Sequence, residues 1–100
     1  MNDICHDFDE PRRVAARSVG CEECEKIGGE WVHLRICLVC GQVGCCDSSP
    51  NRHATRHAQR TGHPIIASFE PGEVWAYCYP HDLFLENLPS GFGFRRLGSE

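Results

Sequence analysis

The chain has 100 residues, eight of them Cys and six His, with a formal net charge of −4. That length is one domain with a small core, and a chain of this size buries only a modest share of its surface. Mild acidity disfavours binding to a phosphate backbone as the main task, and no apolar run approaches membrane-spanning length.

In chain order, the opening stretch MNDICHDFDEPRR is polar and charged. It contains no apolar run of a secretory leader, so the expectation is a reducing, cytoplasmic setting. Residues 10–20, EPRRVAARSVG, read as a loop or short helix ending at Gly20. CEEC (21–24) is followed by a glycine turn at 28–29. Residues 31–40 alternate well enough for a strand, and GQVGCC (41–46) is a tight, Gly-rich loop. Residues 48–62 read as a helix, with Ser49 as N-cap, Pro50 at the first helical position and Gly62 as the stop. Strands are expected at 65–69, 74–79 and near 83–88. The tail SGFGFRRLGSE reads as a loose terminus. The fold class is α+β: a small antiparallel sheet, one main helix, and metal loops between them. The whole of 1–100 is a single domain, with its ordered core at about 5–88.

Grouped Cys and His point to zinc rather than to disulfides, because disulfides do not need His and persist poorly in a reducing compartment. Cys21-x2-Cys24 and Cys37-x2-Cys40 each have the spacing that turns two thiolates toward one tetrahedral ion. Cys45, His53, His57 and His63 follow. His53 and His57 stand four apart on the expected helix and share a face. By spacing alone two partitions compete. Cys37-x2-Cys40-x12-His53-x3-His57 matches a DNA-reading C2H2 finger, but the core positions of that finger fall on Gly44 and Pro50. It also leaves Cys21, Cys24, Cys45 and His63 to find a metal of their own.

In their order, CEEC, CLVCGQVGCC and HATRHAQRTGH resemble the UBP-type zinc finger, the module attached to ubiquitin-specific proteases and a histone deacetylase. The short standalone bacterial form is the best match, and the resemblance runs from Cys5 to about Leu85. It implies a zinc-stapled cross-brace. Cys21, Cys24, Cys45 and His53 would hold one ion, and Cys37, Cys40, His57 and His63 the other. Four protein ligands make a closed, structural site. The family's third site, which joins the N-terminus to the last strand, would correspond here to Cys5, Asp7, Cys78 and His81, with His6 as the substitute for Asp7. Cys46 has no assigned role; it reads as a small packed residue, the sharper reading being a redox-sensitive thiol or an alternate ligand.

The same resemblance implies protein binding. Members of the family capture the free C-terminus of ubiquitin with an Arg just after the single ligand Cys, and with stacked aromatics. Here Cys46 and Asp47 follow Cys45, and Arg35 occupies an aromatic position. An Asp there repels a carboxylate, which makes ubiquitin binding doubtful. Tyr77 and Tyr79 keep the aromatic positions near the end. The expectation is a monomeric adaptor for a protein or peptide, with Arg35, Trp75, Tyr77 and Tyr79 as contacts. Nucleic-acid binding through Arg52, Arg56 and Arg60 is the alternative, although such a stripe is ordinarily a solvated helix face. Enzymatic activity is not expected: no nucleophile–base pair stands out, and closed zinc sites leave no position for water.

Overall fold

The computed structural model of the protein describes residues 13–89 and 91–96. The elements in chain order are β1 (Arg13–Ala15), α1 (Glu22–Ile27), β2 (Leu34–Cys37), β3 (Val43–Cys45), α2 (His53–Thr61), β4 (Ile65–Ser68), β5 (Ala76–Cys78), β6 (Leu83–Leu85) and β7 (Gly93–Arg95). Five strands form one antiparallel sheet in the order β3-β2-β4-β5-β6. β1 and β7 form a separate parallel pair.

The register sorts the side chains. Ile36 stands opposite Ala67, Ala67 opposite Ala76, and Ile65 opposite Cys78. These residues face one way and form the core with Leu38, Val43 and Phe69, closed by Ala16 and Phe92 from the chain flanking β1 and β7. The alternate residues Arg35, Ile66 and Tyr77 lie on the other face by the period of two. All four β4 residues are buried, as a central strand covered on both faces should be.

Three local expectations are corrected. Residues 13–15 are a strand, and the tail contains its partner: Val14 pairs with Phe94, Phe94 packs on Phe69 at 5.4 Å between centroids, and the Arg96 guanidinium lies 4.2 Å from the Phe69 ring. The tail thus carries a strand beyond residue 88, β7. The third correction is the helix start. α2 begins at His53, with Arg52 as a left-handed N-cap at φ 45° and no side-chain cap. Ser49 is otherwise engaged: its hydroxyl accepts from Val32 N–H at 2.8 Å. A short helix at CEEC, α1, was not expected; it starts where Cys24 N–H donates to Cys21 Sγ at 3.4 Å. The metal knuckle itself supplies that cap.

Candidate metal centres

The first cluster draws on three separate pieces of chain. Cys21 and Cys24 flank the start of α1, Cys45 ends β3, and His53 opens α2. Its three thiols are buried. His53 Nδ1 lies 3.3 Å from both Cys21 Sγ and Cys24 Sγ and 3.6 Å from Cys45 Sγ, and Cys24 and Cys45 sulfurs are 3.9 Å apart. A tetrahedral zinc with its usual bond lengths separates its ligand atoms by about 3.3–3.8 Å. The donor set and its spacing fit that ion.

The second cluster uses Cys37 and Cys40 around the β2 turn, His57 one helical turn beyond His53, and His63 just past α2. Cys37 Sγ is 3.6 Å from His63 Nδ1, Cys40 Sγ is 3.4 Å from His57 Nε2, and the two ring nitrogens are 3.3 Å apart. In each cluster all four ligand atoms lie within 4.8 Å of one another. The two helix histidines thus point to different clusters. One turn of helix advances the chain by about 5.4 Å, which lets α2 serve as the shared wall.

Backbone amides complete the setting. Val39 N–H donates to Cys37 Sγ at 3.4 Å and His53 N–H to Cys45 Sγ at 3.1 Å. Burial pushes the Cys21 thiol up to about 12 and raises Cys24 and Cys37 as well. It lowers His53 and His57, disfavouring their charged forms. A divalent cation compensates such a group of thiolates and neutral imidazoles, displacing the thiol protons as it binds. His57 Nδ1 and Glu22 Oε1 are buried without a hydrogen-bond partner among the described residues, and the Glu22 charge raises the His57 proton affinity against the effect of burial.

Of the residues assigned to a third site, Cys5 and Asp7, like the substitute His6, lie outside the described residues. Cys78 Sγ is 3.3 Å from His81 Nδ1. Cys46 is in neither cluster. It is buried, 3.5 Å from Ser49 Oγ, at the floor of a cleft described below.

The zf-UBP family, described as "Zn-finger in ubiquitin-hydrolases and other protein", matches residues 21–89. The chain belongs to the zf-UBP family. This zf-UBP domain is 38% identical over 69 residues to the NAD-dependent deacetylase sir2A of Dictyostelium discoideum, covering 69% of this chain and 12% of that protein. It is 32% identical over 83 residues to the human BRCA1-associated protein, covering 80% of this chain and 13% of that one. The solution NMR structure of a Rhodopseudomonas palustris protein superposes with a TM-score of 0.80 at 48% identity, covering 93% of this chain and 90% of the other. The chain spans only 12–13% of the length of the curated relatives. What it shares with them is the zinc-finger module, which is not a catalytic one. Among the described residues, no helix is long and apolar enough to cross a membrane.

The four expected contact residues do come together. Arg35, Trp75, Tyr77 and Tyr79 line one cleft of about 380 Å³ on the sheet face away from the main core, with Asp47 and Thr55 on the opposite wall. The Arg35 guanidinium lies 4.5 Å from the Trp75 ring centroid, and Tyr77 and Tyr79 meet edge to face at 5.2 Å. Thr55 Oγ1 donates to Asp47 Oδ1 at 2.6 Å and lies 3.1 Å from the Tyr79 hydroxyl. Phe84, opposite Tyr77 in register and 54% exposed, extends the aromatic wall. Its place beside the cleft depends on strand pairing, which residue type alone does not reveal.

Proposed function

We propose that this zf-UBP domain is a cytoplasmic protein-binding adaptor, monomeric by itself, whose zinc ions hold open a peptide-binding cleft. Fingers of this family are associated with protein binding, and the observation that carries the reading here is the aromatic cleft containing Arg35, Trp75, Tyr77 and Tyr79. Rigid aromatic rings beside an Arg are the residue types that dominate recognition surfaces. The zinc clusters serve this surface indirectly. Cys45 leads straight into Cys46 and Asp47, and α2 carries both cluster histidines and Thr55, so zinc positions two walls of the cleft.

The test is a titration of the zinc-loaded, isotope-labelled domain with short peptides and with ubiquitin. Saturable shifts confined to residues around Trp75, Tyr77 and Tyr79, lost in Trp75→Ala, support the reading. Asp47 beside the tyrosines leads us to expect no saturation by ubiquitin. Salt-sensitive binding of RNA or DNA centred on Arg56 and Arg60 would instead favour a nucleic-acid role.

A further inference from the structure

We infer that the cleft engages its peptide through a cationic group, an ammonium or guanidinium, rather than through a carboxylate; the inference rests on the peptide-binding reading above. The two ends of the cleft differ in charge. At one end the Arg35 cation is held in place. Its guanidinium lies against Trp75, and its Nη1 donates to the Leu34 carbonyl at 2.9 Å. Glu73 stands by: it accepts from the Ser68 hydroxyl at 2.6 Å and from Trp75 Nε1 at 3.3 Å. Its carboxyl is held below the ordinary range by the Ser68 hydrogen bond first, with a smaller effect of the Arg35 charge. This end is close to neutral.

The other end is lined by the carboxylate of Asp47 and the rings of Tyr77 and Tyr79, with a second carboxylate, Asp82, bonded to Tyr77 beside it. Among the described residues, Asp47 accepts from the Thr55 hydroxyl, and Asp82 accepts from the Tyr77 hydroxyl. Among the described residues, the Lys and Arg ion pairs all lie around Glu22 and Glu23, and none reaches Asp47 or Asp82. A cation entering between these groups meets carboxylates and the electron-rich faces of Tyr77 and Tyr79, the combination that attracts ammonium and guanidinium groups. A carboxylate entering the same space meets the like charges of Asp47 and Asp82, while Arg35 lies against Trp75 at the other end. A second cleft of about 360 Å³ shares Thr55 and Tyr79 with the first and is walled by Ala58, Pro64 and Pro80. The chain bearing the cation can continue across that mostly apolar ground.

The experiment uses the full zinc-loaded chain and three matched hexapeptides. One carries a single Lys with both termini blocked, the second has that Lys acetylated, and the third has a free C-terminal carboxylate and no cation. We expect the Lys peptide to bind at the Tyr77–Tyr79 end and to weaken at least tenfold on acetylation. Asp47→Asn should produce a similar loss while retaining two zinc ions and a native spectrum; Asp82→Asn provides a second variant should the first fold poorly. Preference for the carboxylate peptide, or equal binding of the Lys and acetyl-Lys peptides, would overturn the cationic inference and leave the peptide cleft standing. Failure of all three peptides, followed by failure of a wider panel to shift any cleft residue, would remove the peptide-binding reading as well.

Discussion

A Cβ placed on Gly44 would lie 2.8 Å from the backbone nitrogen of Ala54 and 2.9 Å from its Cα. Strand β3 and helix α2 therefore touch backbone to backbone, one residue away from two ligands of the first cluster. That approach brings His53 N–H to within 3.1 Å of Cys45 Sγ. Backbone cannot move aside as a flexible side chain can. Gly44→Ala should cost about 1–3 kcal/mol by overpacking and should weaken zinc at the first cluster before the second. Thermal melting and chelator competition on the zinc-loaded protein measure both effects. An unchanged melting temperature would show that β3 and α2 have slack.

Removing zinc should unfold the domain. The core is small, and structural zinc contributes on the order of 10 kcal/mol per ion in comparable peptides. Since α2 supplies His53 to one cluster and His57 to the other, loss of either ion should loosen the shared helix. We expect two zinc ions per chain from these clusters by native mass spectrometry, and loss of most helical signal in Cys37→Ser. A chelated chain that keeps a dispersed NMR spectrum would contradict this.

Glu22 sits next to Cys21 of the first cluster, yet its charge acts on His57 of the second. Arg17 Nη2 holds one carboxylate oxygen at 2.9 Å, while the other is buried and has no hydrogen-bond partner among the described residues. A metal-bound imidazole carries added positive charge, which a nearby carboxylate stabilises. Glu22→Gln should therefore lower zinc affinity at the second cluster by about tenfold and spare the first. Cobalt substitution followed by zinc competition reads the two sites separately; equal loss at both would mean that Glu22 acts only on packing.

Acid should destabilise the domain in a defined window. Burial lowers His53 and His57 below the ordinary imidazole value of 6.5. The unfolded chain then binds protons that the fold refuses, so stability is present above that value and falls as the pH drops below it. Burial raises the cluster thiols, so zinc must displace protons and its affinity should climb with pH. Calorimetric titrations in buffers of different ionisation enthalpy should show proton release on zinc binding. A pH-independent affinity between pH 6 and 8 would be inconsistent with buried, protonated thiols.

The donor chemistry was legible in the residues alone. Cys-x2-Cys spacing, a pair of His one helical turn apart and the Gly-rich loop are local features, and local geometry follows from local sequence. The α+β class followed from the same reading. How His53 and His57 divide between clusters was not decided by spacing, which also allowed them to share an ion. The answer depends on which loops the sheet carries to each turn of α2. Tertiary structure likewise moved the helix start from Ser49 to His53, because Ser49 is used to hold Val32. It paired β1 with β7 across most of the chain, a contact with no local signal on either side. The cleft has the same origin. Arg35, Asp47, Thr55 and Tyr77 come from two strands, a loop and a helix, and only long-range strand register places their side chains around one space.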